Sequence, residues 1–397
     1  MLRYMTAGES HGPCLTSILS GMPAGLSVDE AEINEDLRRR QGGYGRGGRM
    51  SIEKDAVRFT SGIRHGKTLG SPITMVIENR DWKNWEQIMS ARAEDATDQR
   101  AITRPRPGHA DLPGVLKFDQ KDARNVLERA SARETASRVA IGAICKQLLA
   151  EFGVEVFSHV VALGGIRANL EGFTYAQIHE LAERSETRCA DPKATKQQIA
   201  LIDQMKKEGD TLGGVLEIVA TNLPAGLGTC MNWDEKLDGR LAQALMSIQA
   251  IKGVEIGLGF EGTNRPGSKV HDEIFYSKNP KDALNGHGPS AGFYRVTNGA
   301  GGLEGSMTNG EPLVVRMAMK PISTLMRSIQ SVDFVSKEAF DAAKERSDVC
   351  SVPAAGVVGE AAVAFVLAQA WLEKFGGDSL SEVRRNHEAY CKYLKEF

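Results

Sequence analysis

A large net charge of one sign, metal-type cysteine spacing and a long apolar run are all missing from this chain. Its 397 residues carry 49 Lys+Arg against 51 Asp+Glu, a net charge of −2. A dedicated nucleic-acid binder is usually basic overall, so no nucleic-acid partner is expected from the total. Cys14, Cys145, Cys189, Cys230, Cys350 and Cys391 are scattered, with no CxxC pair and no Cys/His ligand spacing. We read them as reduced thiols of a cytoplasmic protein and expect no metal. The opening MLRYMTAGESHG lacks the apolar core of a secretory signal. The most apolar run, Ala361 to Leu372, is too short for a membrane span and contains Gln369. It predicts a buried helix, not a membrane contact. At 41% hydrophobic and 25% charged, the composition is that of a globular protein with an ample core. Length alone suggests two or three domains, although no internal repeat or linker marks a boundary.

Two nucleotide motifs are approached and missed. SGIRHGKTLG, starting at Ser61, nearly matches a P-loop, but Ser61 takes the place of the first glycine and Gly62 leaves the loop one residue short. GLGFEG, Gly257 to Gly262, matches the dinucleotide fingerprint but runs into TNRPGSK, where a helix is required.

Present instead is RRRQGGYGRGGR, Arg38 to Arg49, with five arginines and five glycines in twelve residues. Arginine forks suit phosphate and carboxylate, and glycine lets backbone approach a ligand. From Arg38 to Lys67, nine Lys/Arg stand against two Asp/Glu. That local excess suits a focused anion site. The alternatives are an RGG-type RNA-binding segment and a solvated basic loop. Ser27 and Glu30 read as a capping box for a helix running to about Arg40, with Ala31 and Leu37 on its apolar side. Arg38, Arg39 and Arg40 then sit in its last turn, where cations suit the helix dipole. Arg46 and Arg49 lie among glycines with no helix to cap.

Two histidines are framed by turn residues. GESHG carries His11, and RPRPGHAD presents His109 at a loop tip. Histidine suits proton transfer near neutrality. Asp122 to Phe152 reads as one long helix, with Arg129 and Arg133 on one face and Glu128 and Glu134 as their surface partners. Further capping signals predict helices from Thr174 and from Asp191-Pro192, the second ending near Gly209 with Lys193 to Lys207 as a solvated surface segment. Leu237, Leu241, Leu245 and Ile248 have helical spacing. Val57–Ile63, Ile73–Ile77, Val215–Thr221 and Pro312–Lys320 read as strands. Gly286 to Gly310 is too rich in glycine to pack a core. Arg346-Ser347-Asp348 closes a short helix, and Ala354 to Phe375 is a strongly apolar one. The inventory points to an enzyme acting on a small phosphorylated or carboxylated substrate through histidine acid/base chemistry.

The ordered set TAGESHGP, RRRQGGYGRGGRM, TSGIRHGKT, RPGHADL, ERASARET, GGLEG, MTNG, KPIST and RSD covers nearly the whole chain. It resembles the chorismate synthase family. The resemblance implies conversion of 5-enolpyruvylshikimate 3-phosphate to chorismate and phosphate, an anti 1,4-elimination that needs reduced FMN without net redox change. It implies an α+β fold, a single large domain with helices sandwiched between two antiparallel sheets, assembled as a homotetramer. It gives His11 the proton donated to the leaving phosphate. His109 sets the protonation state of the reduced flavin, and Asp348 removes the ring proton together with the flavin. Flavin contacts carried over by motif are Arg129, Ala130, Ser131, Gln249, Ala250, Gly305, Lys320, Pro321, Ile322, Ser323, Thr324 and Arg346. Arg40 and Arg46 match positions for substrate or NADPH, and Arg49, Arg133 and Arg327 are further substrate candidates. NADPH is expected only as an indirect reductant. The sequence departs from the family pattern at Ser306, where many members have glycine, at Val349, where they have proline, and over 285–295, which is longer than usual.

Overall fold

The structure, a computed structural model, describes residues 1–48, 52–277, 292–327, 329–341 and 348–397. The first sheet has four antiparallel strands in the order Arg3–Ala7, Cys14–Ser20, Ile73–Glu78, Val57–Ser61. Leu15, Leu19, Ile73, Met75 and Ile77 alternate onto its buried face, as a strand's twofold period requires. The second has five antiparallel strands in the order Ile251–Ile256, Leu313–Met319, Gly214–Thr221, Glu155–Leu163, Ile166–Arg167. Helices fill the space between: α1 (Glu30–Gln41), α4 (Thr135–Ala150) and α8 (Val352–Phe375). α4 packs on the first sheet, α8 on the second, and the two pack on each other. One hydrophobic core runs through both sheets and these helices. The expected α+β sandwich is the fold observed.

α8 is apolar over most of its circumference because most of it is covered by the rest of the protein. By length and composition it would pass for a membrane span, but 78% of the relevant window is buried inside the protein. The expected buried helix is therefore a core helix. It meets α4 closely at Gly142, where an added Cβ would lie 2.3 Å from the Ala361 Cβ. Glu360 sits mid-helix, 1% exposed, and accepts from Arg39 Nη1 and Nη2 (2.8 and 2.9 Å), Arg188 Nη2 (3.0 Å), Lys146 Nζ (3.2 Å) and Ser158 Oγ (2.7 Å). Burial alone would raise its pKa. The three cations outweigh this and hold it well below the usual carboxylate range.

Several local expectations are corrected. α1 begins at Glu30 under Asp29, whose carboxylate accepts from the Ala31 N–H, while Ser27 bridges to Lys67. Ile33 rather than Ala31 joins Leu37 inside. Arg39 is more than a helix-end charge, since it enters the Glu360 network. The long helix from Asp122 is two, α3 (Arg124–Ala130) and α4, joined by a 3-10 turn over Ala132–Glu134. Ser131 makes the break: its backbone is extended (φ −61°, ψ 141°), and its side chain accepts from the Arg133 N–H. The P-loop-like stretch is a hairpin pairing Ile63–Arg64 with Lys67–Thr68. His65 and Gly66 both have positive φ (50° and 71°), as a tight hairpin turn needs. GLGFEG continues into a 3-10 turn over Gly259–Asn264, with no helix for a dinucleotide. α5 (Tyr175–Arg184) starts with the expected capping box at Thr174 and Gln177. α6 (Pro192–Glu208) runs from Asp191 to Gly209 as expected, but buries Ala194, Gln198 and Ile202 and so is not a wholly solvated segment. α7 (Leu237–Met246) and the C-terminal α9 (Leu380–Glu396) complete the architecture with α2 (Asp111–Phe118).

Candidate active site

The arginine–glycine stretch leaves α1 and folds back onto residues 348–353. Gly45 O accepts from the Val349 and Cys350 N–H groups (2.8 and 3.3 Å). Gly43 and Gly45 have φ of 103° and 91°, and a Cβ there would meet Pro353 Cβ at 2.8 Å and Cys350 Cβ at 3.2 Å. Both glycines therefore allow close packing on the protein's own chain. The fold-back brings Arg46 to Asp348 at 3.0 Å and to Ser351 Oγ at 3.0 Å. Asp348 also accepts from the Gly47 N–H (2.6 Å) and from Ser351 Oγ (2.6 Å).

Arg40 lies behind them, buried. It donates to Thr135 Oγ1 (2.9 Å) and Ala132 O (3.0 Å), and its Nη1 is 3.4 Å from Asp55. Burial brings its pKa down to about 10, with Asp55 opposing and Arg133 and Arg46 adding to the fall. It stays charged at neutral pH. Arg133 is equally buried and takes Asp55 with two bonds from Nη1 (2.6 and 2.8 Å), plus Asn79 Oδ1 from Nε (2.8 Å). Its expected role as a substrate contact does not fit this geometry, because it holds Asp55 beneath Arg40.

Two cavities meet at Arg46 and Asp348. The smaller, ≈ 80 Å³, is also lined by Arg40, Thr135, Gln249 and Ser351. It has room for only a few waters. The larger, ≈ 550 Å³, adds Tyr44, Thr211, Thr324 and Lys206. That is the scale of a small-molecule site. A larger cavity, ≈ 900 Å³, lies elsewhere, between α7 and α8, and is lined by none of the expected residues.

The His109 loop reaches this rim through Thr324, and the His11 loop is joined to Arg40 only through a chain of buried side chains. Asn79 Nδ2 donates to Gly12 O (2.7 Å), which links the His11 loop through Arg133 and Asp55 to Arg40. His109 is not a free loop tip: Lys320 Nζ donates to Gly108 O (3.1 Å), and Arg106 Nη1 reaches Thr324 Oγ1 (3.5 Å). Glu128 and Glu134 are not the surface charges expected. Both are buried, Glu128 against His11 and Arg124, Glu134 against Arg138 and Thr6. For each, burial raises the pKa, but these partners prevail and lower it.

Of the remaining expected contacts, Gln249 lines the smaller cavity, and the Lys320 N–H donates to the O of the next residue, Ala250 (2.9 Å). Ala250 takes a positive φ of 67°. Thr211 Oγ1 donates to Ile322 O (2.8 Å), which places Pro321, Ile322 and Ser323 alongside. Arg129 reaches from α3 to Thr6 O (2.8 Å) with an exposed guanidinium, and Ala130 and Ser131 follow it at the helix break. Arg327 is exposed, its N–H on Gly209 O (2.8 Å). Gly305 is not brought to this rim. Its hairpin, Leu303–Glu304 with Met307–Thr308, docks on Gly228 and Leu237 at the start of α7, whereas Gln249 and Ala250 follow its end. Arg49, Arg346 and Ser347 lie outside the described residues, as does most of the 285–295 segment.

Sequence reasoning missed Asp55, Ser351, Asn79 and Asp111. The last was signalled by its place two residues after His109, and Ser351 by its place three after Asp348. Asp55 and Asn79 had no local signal.

A sequence model of the family described as Chorismate synthase matches residues 2–372. The chain is 57% identical over 397 residues to the chorismate synthase of Geobacter metallireducens, covering 100% of both chains. It is 58% identical over 396 residues to that of Syntrophotalea carbinolica, covering 100% of this chain and 99% of the other. A crystal structure of a chorismate synthase superposes with a TM-score of 0.79 at 45% identity, covering 100% of this chain and 99% of that one. With its sandwich fold and full-length relatives, the chain belongs to the chorismate synthase family.

Proposed function

We propose that this enzyme of the shikimate pathway converts 5-enolpyruvylshikimate 3-phosphate to chorismate and phosphate by anti 1,4-elimination, with reduced FMN as cofactor. The reading takes residues 1–397 as one catalytic domain, cytoplasmic and homotetrameric, with a small-molecule substrate and no nucleic-acid or membrane partner. The observation that carries it is the meeting of Arg46, Asp348 and buried Arg40 at two adjoining cavities, one of them of small-molecule size. The substrate bears a phosphate and two carboxylates. Fixed guanidinium groups orient these anions and stabilise the charge of the leaving phosphate. His11 supplies a proton to that leaving group. His109 tunes the proton balance beside the flavin. Asp348, oriented by the Gly47 N–H and Ser351 Oγ, receives the ring proton.

The residues present fit a flavin. Gln249 Oε1 is buried with no hydrogen-bond partner among the described residues, an acceptor suited to a ring N–H. The Lys320–Thr324 segment and Arg129 would hold the rest. When bound, reduced FMN supplies electron density that eases loss of a weakly acidic ring proton. NADPH serves as an indirect reductant upstream. RNA binding by the Arg/Gly loop is disfavoured, because Arg38 pairs with Glu35, Arg39 with Glu360 and Arg40 with Asp55.

The test is an anaerobic assay with the enolpyruvyl substrate and chemically reduced FMN, reading chorismate and released phosphate. Folded protein that binds FMN yet yields neither product overturns the reading.

A further inference from the structure

Both loop histidines have the same neighbours. His11 Nδ1 lies 3.0 Å from Glu128 Oε1 and 2.9 Å from Oε2. The His11 N–H donates to Oε2 (2.9 Å), and Arg124 Nη1 donates to Oε1 (2.8 Å). His109 Nδ1 lies 2.5 Å from Asp111 Oδ1, and Arg106 donates to that carboxylate through Nε (2.9 Å) and Nη2 (3.0 Å). Arg106 Nη2 also comes within 3.1 Å of His109 Nδ1 and 3.5 Å of Nε2. Contact with both ring nitrogens places the guanidinium across the ring, so the shorter carboxylate contact decides which group faces Nδ1.

Exposure divides the same way in both pairs. The His11 and His109 side chains are 21% and 20% exposed, their carboxylates 1% and 0%. A ligand can touch the imidazole but not the acid behind it. Trp85 stacks on His11 with ring centroids 4.0 Å apart and 25° between planes, which fixes the ring's rotation. Arg124 and Arg100 lie over the same indole at 4.9 and 4.3 Å.

We propose that Glu128 and Asp111 are positioning residues that hold a proton on Nδ1 of His11 and His109, so that Nε2 is the atom exchanging a proton with bound ligand. A carboxylate at Nδ1 accepts an N–H bond, so the neutral ring keeps its proton there and leaves Nε2 bare. In the charged ring both nitrogens carry protons, and the ligand can take only the one on Nε2. When His11 gives that proton to the leaving phosphate oxygen, the N–H bond breaks, an O–H bond forms, and the ring becomes the neutral Nδ1–H tautomer. Glu128 does not change charge. Burial would push both carboxyls toward the neutral acid, but the histidine and arginine bonds hold them below their usual range. The arginines thus keep each carboxylate an acceptor.

The effect on turnover rests on the reaction proposed above, whereas the tautomer does not, and the experiment separates them. Histidine in the full-length FMN-bound protein is labelled with ¹⁵N, and ring signals are assigned by their loss in His11→Gln and His109→Gln. At alkaline pH both rings should report Nδ1–H with bare Nε2. Glu128→Gln offers an amide that donates as well as accepts, so His11 should shift toward Nε2–H while His109 is unchanged. Its kcat should fall roughly 10²–10⁴-fold, with a far smaller change in KM. An Nε2–H tautomer at His11 in the unaltered protein, or an unchanged tautomer in folded Glu128→Gln, overturns the proposal. Should Glu128→Gln fail to fold, Asp111→Asn reads the same claim at His109. Absence of product with the tautomers as stated would sink the reaction and leave the positioning role standing.

Discussion

At the scale of single residues, most of the site is determined by what lies behind the groups that face the cavity. His11→Ala should lower kcat by roughly 10²–10⁴-fold while binding changes little, because the proton is needed as the bond breaks. Steady-state kinetics under anaerobic conditions decide this; equal turnover with weaker binding would place His11 in recognition instead. Ser306 offers a test away from the chemistry. It stands where many family members have glycine, and its φ is +66°. Glycine there removes a left-handed strain of about 1–2 kcal/mol but loosens the unfolded chain by about 0.4–1 kcal/mol. Ser306→Gly should therefore raise the melting temperature slightly, and a fall of several degrees would contradict the strain account. The other departure has a visible consequence too. The Val349 N–H donates to Gly45 O, a bond that proline cannot make. Arg46 was legible in the sequence because a charge isolated among glycines has no local partner. The depth of Arg39 was not, since a helix-end arginine is usually solvated and its partner Glu360 is 321 positions away.

At the scale of elements, α4 and α8 cross closely, backbone against backbone. An added methyl at Gly142 would lie 2.3 Å from Ala361 Cβ and 2.7 Å from its carbonyl oxygen, and backbone cannot swing aside as a flexible side chain can. Gly142→Ala should destabilise by about 1–3 kcal/mol or more, read as a lower denaturant midpoint. A midpoint equal to the parent's would mean the helices can slide apart freely. Some short-range helix and strand signals were read correctly, such as the capping box at Thr174 and the alternation from Leu313, whereas the one at Ser27 was two residues off. The break at Ser131 was hidden because Arg-Ala-Ser-Ala-Arg contains neither proline nor glycine. It is imposed by tertiary contacts, chiefly the Asp55 and Asn79 bonds that draw Arg133 inward. Gly305 was assigned by motif alone, and motif carries no information on which end of α7 the hairpin meets.

At the scale of the whole molecule, many carboxylates lie below their ordinary pKa: Glu128, Glu134, Glu217, Glu360 and Asp111, with Glu183 held down to about 2. For Glu183, burial pushes upward, but bonds from Arg39 and Arg188 dominate. A lowered native pKa means the unfolded chain binds more protons as acid is added. The stability from these pairs is fully present above about 4.5 and drains away as pH falls toward about 2. Urea midpoints at pH 6, 5, 4 and 3 should be level over the first two and fall over the last two; a flat series would show the pairs contribute nothing. Sheet pairing at this scale was unreadable from sequence, because Glu155–Leu163, Gly214–Thr221 and Leu313–Met319 are neighbours in space but far apart along the chain. The same spacing gives α8 a consequence for biosynthesis. The second sheet packs on a helix that follows all five of its strands along the chain. A ribosome adding roughly 5–20 residues per second needs roughly 20–75 s to reach residue 375. Until then the strands of the second sheet lack the α8 core helix beside them, and their apolar faces must be kept from aggregating until residue 375 has emerged.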